Sequence, residues 1–236
     1  MLAFVLQIAL DCRALTSSAF KIMRTHLAKL GAFALALSLV ALFAGNYDAK
    51  LYDFMKEQRN PAVKQIARDL SYCGELQRGP TILAVGLWGG GLVCRRKRWR
   101  MAAVARLLAA LLAGITADVA RVGAGRPRPR AEIQDGFYGV KWADKFHGFV
   151  SAHTATSFGM ATAVTVALPA IGILTLPLAT FVAWSRMTLG SHYLSDCLLG
   201  AGVGLLFGVP FGLAARRGPP AEERYPIDDG GHTEKR

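Results

Sequence analysis

The chain has 236 residues, 53% of them hydrophobic, a mean hydropathy of +0.31 and a formal net charge of +12. That length fits one or two domains, and its apolar residues gather in blocks approaching the roughly 20 needed to cross a bilayer, which argues against a soluble all-α protein. The charge does not point to nucleic acid: its densest run, Arg95 to Arg100 (RRKRWR), is short and lies between two apolar blocks, as a cytoplasmic loop of a membrane protein does.

The first apolar block, Met1 to Leu10, is short, and its basic residues follow it rather than precede it, unlike a secretory signal. Residues 1–29 are expected to be an N-terminal cytoplasmic segment, and Met23, opening MRTHLAKL, is an alternative start. A first span is expected at 30–46. A polar segment follows to Gly79, with a helical look around 60–72 and the position of a possible lid. Span two falls at 80–94, short and glycine-rich; its GLWGGGLV suits close helix packing. Span three falls at 101–120, with Arg106 near its cytoplasmic end read as a snorkelling side chain. After a polar loop, 121–150, span four runs 152–169, a tight turn follows at Pro169–Gly172, span five runs 171–186 and span six 193–214. The tail, 216–236, is polar and reads as disordered. The expected fold is therefore all-α: a polytopic bundle of six transmembrane helices over residues 30–215, whose oligomeric state the sequence leaves open.

Six spans put both termini on one side. The N-terminal basic residues, the 95–100 run and Arg216–Arg217 fall on that side, which the positive-inside rule makes the cytoplasm of a plasma (inner) membrane. The loops after spans three and five then face outward, to the periplasm or exterior. Four arginines, Arg121, Arg126, Arg128 and Arg130, lie in the first of them. Positive charge against the topology rule suggests an anionic substrate.

Three stretches at these outer edges carry chemistry. In RVGAGRPRP (121–129), prolines restrict the loop that presents Arg121 and Arg128. In SAHT (151–154), Ser151, Ala152 and His153 open an apolar helix, where backbone amides make an anion site; His153 is a candidate proton donor to a leaving oxygen. In SRMTLGSHYLSD (185–196), His192 and Asp196 are four apart and would share a helical face. A carboxylate accepting one imidazole proton leaves the other nitrogen free to attack. Arg186 supplies a guanidinium that forks onto phosphate oxygens. Together these residues suit phosphoryl transfer through a phosphohistidine, with arginines stabilising the equatorial oxygens. The sequence offers no carboxylate cluster for metal ions, so metal-free chemistry with no cofactor is expected. Cys12, Cys73, Cys94 and Cys197 fit no zinc or disulfide pattern.

These motifs resemble the type-2 phosphatidic acid phosphatase superfamily. Its signature has a basic residue, six residues and Arg-Pro (here Arg121 and Arg128-Pro129); Pro-Ser-Gly-His (here Ser151 and His153); and Ser-Arg, five residues, His, three residues, Asp (here Ser185, Arg186, His192 and Asp196). The resemblance implies a six-helix membrane bundle that removes phosphate from lipid phosphates or polyprenyl pyrophosphates without metal. It implies catalytic roles for His192, His153 and Asp196, and phosphate binding by Arg121, Arg128, Ser151, Ala152 and Arg186. The implied substrates are polyprenyl pyrophosphate, phosphatidic acid-type lipids or lipid A phosphates. Three positions depart from the pattern: Arg121 stands for lysine, Val150 for proline and Ala152 for glycine. The last two leave room for an altered substrate or a reduced rate. Two rivals stand beside the phosphatase: a lipid phosphotransferase, which passes the phosphate to another lipid, and a non-catalytic lipid-binding protein with a decayed site, for which Ala152 is the evidence. A vanadate-binding haloperoxidase shares the signature in soluble proteins, and the spans argue against it. Asp118 is read as an ion-pair partner of Arg121. Arg126 and Arg130 are read as solvated loop charges. Lys141, Trp142 and Lys145 are read as headgroup contacts or interfacial anchors.

Overall fold

The computed structural model describes residues 2–73 and 79–218, and among them every regular element is helical. In chain order these are α1 (Leu2–Thr25), α2 (Leu27–Gly45), α3 (Asp48–Glu57), α4 (Pro61–Cys73), α5 (Gly79–Val93), α6 (Lys97–Ala124), α7 (Ala152–Ala167), the single turn α8 (Pro169–Gly172), α9 (Thr175–Thr188) and α10 (Leu194–Arg217).

The arrangement follows from where small residues fall. On α6, Ala105, Ala109, Ala113 and Ala117 are fully buried, while Leu111, Ile115 and Val119 are exposed. A helix with small side chains inward and large apolar ones outward packs closely on its neighbours and offers its other face to lipid. On α10 four glycines recur every fourth residue. A Cβ at Gly200 would lie 2.6 Å from the Ser151 carbonyl oxygen, at Gly204 2.7 Å from that of Ala155, at Gly208 2.9 Å from that of Gly159 and at Gly212 2.8 Å from that of Ala163. The α10 backbone therefore rests directly on α7 along its whole length. Helix α7 is enclosed by α6, α9 and α10, which explains why so much of this uncharged 16-residue helix is buried.

Six membrane crossings are not reached by length and composition. Among the described residues, four stretches are long and apolar enough: Leu27–Gly45, Lys97–Ala131, Pro169–Thr188 and Leu194–Arg217; Thr81–Val93 is shorter. The expected spans at 80–94 and 152–169 correspond to the two short helices, α5 and α7. Other expectations shift as well. Part of the basic run is helical, because α6 begins at Lys97 and only Cys94 to Arg96 form the turn. The helix expected around 60–72 is α4, and α3 precedes it. Residues 2–25, read as a segment ahead of the bundle, are one helix packed on α6 and α10, with Leu15 and Ala19 fully buried. Arg106 does not snorkel: it is 5% exposed, its Nη2 is 3.7 Å from Met160 Sδ, and its Nε and Nη1 have no partner among the described residues. Residues 219–236, most of the expected tail, lie outside the described residues.

Candidate active site

Helix α6 stops at Gly125, which has φ +58°, and a Cβ there would come within 2.0 Å of the Gly139 carbonyl oxygen. Only glycine allows both the left-handed turn and the close return of the loop. The chain then folds back on itself: the Arg128 amide donates to the Lys145 carbonyl at 2.8 Å and the Gly148 amide to the Arg126 carbonyl at 2.8 Å. The Arg130 amide donates to the Gly190 carbonyl at 3.0 Å, which fastens this loop to the α9–α10 turn. The two loops expected to face one way are thus packed together, with the start of α7 beneath them.

His192 sits in that turn, 3% exposed. Its Nδ1 lies 2.6 Å from the Gly148 carbonyl oxygen. A carbonyl only accepts, so Nδ1 carries the proton and Nε2 keeps its lone pair. The imidazole is held well below its ordinary value of 6.5, first by burial, then by the positive charge of Arg186; the Gly148 bond opposes this, and Arg128 adds to it. Arg186, on the last turn of α9, donates from Nη1 to Ser71 Oγ on α4 at 2.7 Å. Its carbonyl accepts the amides of Ser191 at 3.0 Å and His192 at 3.4 Å.

Ser151 caps α7. Its Oγ accepts from the Thr154 amide at 3.5 Å and from Thr154 Oγ1 at 2.9 Å, and its own amide donates to the Asp196 carbonyl at 3.2 Å. Ala152 and His153 are the first residues of the helix, where no preceding turn supplies acceptors for their amides. Ala152 is not among the non-glycine residues with positive φ. The exchange of glycine for alanine at this position therefore carries no backbone strain.

Asp196 departs from expectation. It was expected to hold His192, but α10 begins at Leu194, so His192 precedes the helix and the four-residue spacing does not put the pair on one face. The Asp196 carboxylate accepts instead from the Tyr193 amide at 2.8 Å and from Arg126 Nη1 at 2.7 Å. Arg126, expected as a solvated charge, is the buried centre of this end of the molecule. All five of its N–H groups are engaged: Nε and Nη2 with Asp135 at 2.8 and 2.7 Å, Nη1 with Ser195 Oγ at 2.9 Å and Asp196, and Nη2 with Asp48 Oδ2 at 3.0 Å. The Tyr193 ring stacks 4.6 Å from its guanidinium carbon. Asp48 opens α3 and also accepts from the Ser195 amide at 3.0 Å and from Ser195 Oγ. Arg126 hydrogen bonds hold the Asp135 carboxyl below the usual carboxylate range. Three carboxylates thus gather in the fold after all, around the chain's own guanidinium. Nothing in the sequence signals it, because Asp48 and Asp196 are 78 and 70 residues away from Arg126.

The remaining arginines lie at the edges. Arg121, on the last turn of α6, pairs with Asp118 at 3.1 Å, as expected, and its Nε has no partner among the described residues. Arg128 is buried; its Nε donates to the Asp144 carbonyl at 2.8 Å and its Nη2 to Asp144 Oδ1 at 2.6 Å. Arg130 shares that carboxylate at 3.3 Å. An anion reaching Arg128 must therefore share it with Asp144.

The profile described as the PAP2 superfamily matches residues 102–216, from α6 to the end of α10. That segment carries the motifs through which the sequence resembles the type-2 phosphatidic acid phosphatases. Two solved structures share the fold. The transmembrane PAP2-type phosphatidylglycerolphosphate phosphatase of Bacillus subtilis is 20% identical, with a TM-score of 0.56 over 79% of this chain and 92% of the other. LpxE of Aquifex aeolicus is 19% identical, with a TM-score of 0.50 over 69% of this chain and 92% of the other. Comparison with curated proteins gives no match.

Proposed function

We propose that the protein is an integral membrane phosphatase that hydrolyses the phosphate or pyrophosphate ester of a lipid through a phosphohistidine. The observation that carries this reading is His192: Nδ1 bound to a peptide carbonyl, which leaves the lone pair on Nε2, and the charge of Arg186 acting on the ring. Nε2 attacks phosphorus and the phosphorus–oxygen bond to the leaving group breaks. His153 gives that oxygen its proton. It then takes a proton from the water that attacks the phosphohistidine, releasing phosphate and restoring His192. Arg186, Arg128 and Arg121 stabilise the equatorial oxygens, together with the first amides of α7 and the cap residue Ser151. Asp196 acts with Arg126 to fix the turn that carries His192.

A lipid substrate also suits the surroundings. Beside Arg186, a cavity of about 280 Å³ lies between α3, α4 and α9, lined by Leu51, Phe54, Met55, Val63, Trp184 and Met187. An apolar chain entering there leaves its phosphate at the site. By charge distribution the site end faces outward, with the basic α5–α6 turn in the cytoplasm.

The test is phosphate release by purified protein from polyprenyl pyrophosphate, phosphatidic acid and lipid A, with EDTA present, beside His192→Ala. Release that survives EDTA and disappears in the variant supports a metal-free histidine mechanism and ranks the substrates. No release from any lipid refutes the phosphatase reading and favours a site that binds lipid without turnover.

A further inference from the structure

The loop between α6 and α7 exposes large apolar side chains next to the candidate site. Phe137 is 65% exposed, Val140 66% and Trp142 79%. They do not hang on a free strand: the Lys141 amide donates to the Val122 carbonyl at 3.0 Å and His147 Nε2 lies 3.2 Å from the Lys141 carbonyl oxygen. The loop is therefore seated on the last turn of α6, directly beyond the exposed face of Leu111, Ile115 and Val119. Two lysines share it. Lys141 Nζ and Lys145 Nζ lie 5.8 and 5.6 Å from the centre of the Phe146 ring. The loop's carboxylates do not neutralise them, since Glu132 pairs with Lys56, Asp135 with Arg126 and Asp144 with Arg128 and Arg130.

We propose that residues 137–146 are a docking surface for the headgroup layer of the bilayer, with Val140 and Trp142 entering the acyl edge and Lys141 and Lys145 meeting lipid phosphates. Continuity with the outward apolar face of α6 selects this occupant. So does the chemistry, since indole and lysine suit the zone where apolar tails meet anionic headgroups. The surface also reaches the site. The same loop presents the Gly148 carbonyl to His192 and the Asp144 carboxylate to Arg128. Bilayer contact thus seats the site against the layer from which a long-chain lipid phosphate enters. This consequence for activity rests on the proposed phosphatase function; the docking itself does not.

The experiment reconstitutes the full chain in liposomes of anionic phospholipid with brominated acyl chains. The emission lost in Trp142→Phe isolates Trp142 from the other three tryptophans. The expected result is quenching of that component by the bromines and protection from aqueous iodide. Quenching by iodide and none by brominated lipid overturns the proposal. A second arm measures phosphate release by Lys141→Gln/Lys145→Gln and Val140→Ser/Trp142→Ser. Each double variant is expected to raise the KM for long-chain phosphatidic acid in liposomes by about tenfold, with a short-chain, water-soluble phosphatidic acid turned over as before. Equal loss on both substrates contradicts a docking role. Absence of turnover in the unaltered protein counts against the phosphatase reading, and the quenching arm still decides docking.

Discussion

His192 and Asp196 show how a correct motif can be given the wrong geometry. Their four-residue spacing places them on one face only if both are helical, and Tyr193, with φ −81° and ψ 169°, ends that possibility. The partner of His192 is a peptide carbonyl 44 residues earlier in the chain; such a bond leaves no trace in side-chain identity. Two outcomes follow for the chemistry. Because burial and Arg186 hold the imidazole below 6.5, His192 stays neutral and nucleophilic into mildly acidic solution, so the acid limb of kcat/KM for the free enzyme lies below pH 6.5. A pH–rate profile checks this. The unfolded chain takes up a proton near 6.5 that the folded chain takes up only at lower pH, so His192 costs the fold stability as pH falls through 6.5 and below. Replacing Asp196 with asparagine weakens the clasp on Arg126 and lowers the melting temperature, because it disturbs a buried ionic network. It leaves the acid limb in place, since Asp196 does not touch the imidazole. A shift of that limb in Asp196→Asn would show that the carboxylate does act on His192.

At the scale of elements, apolar length was the strongest signal. It placed α2, α6, α9 and α10 to within a few residues, since a lipid-exposed helix needs a sustained apolar run. It placed α7 as well, which is shorter than a span and is enclosed by α6, α9 and α10. Another element escaped it. Helix α3 carries mixed charge and earns its place through Asp48, whose partners lie far along the chain. The glycine repeat of α10 was in plain view in GAGVGLLFGVPFG, but its meaning depends on which helix approaches. With α7 in contact, Gly204→Leu forces the two backbones apart and costs about 1–3 kcal/mol. Thermal melting in detergent should show the loss, and phosphate release should fall with it, because α7 carries Ser151 and His153 while α10 carries the turn of His192. The same substitution at Gly123, where nothing lies within 4 Å of an added Cβ, should leave the melt unchanged.

Across the whole molecule the two ends differ in kind. At one end the α5–α6 turn, the start of α6 and the last residues of α10 collect basic side chains. At the other, two loops and α3 close over buried arginines and histidines. That contrast was readable from charge placement along the sequence, whereas the Arg126 hub, assembled from four separate parts of the chain, was not. Orientation is directly measurable through Cys94, which is exposed in the basic turn. In a Cys73→Ser background, a membrane-impermeant maleimide should label Cys94 in inverted vesicles and not in intact cells. Labelling in intact cells would reverse the topology and place the site inside. The central claim, that His192 is the nucleophile, is best tested by catching it phosphorylated. His153→Ala, which lacks the group that activates water, is mixed with substrate, quenched in alkali and digested for mass spectrometry. The account predicts an acid-labile phosphate on the peptide containing His192, absent in His153→Ala/His192→Ala. A phosphate on any other residue, or turnover that persists in His192→Ala, would contradict it.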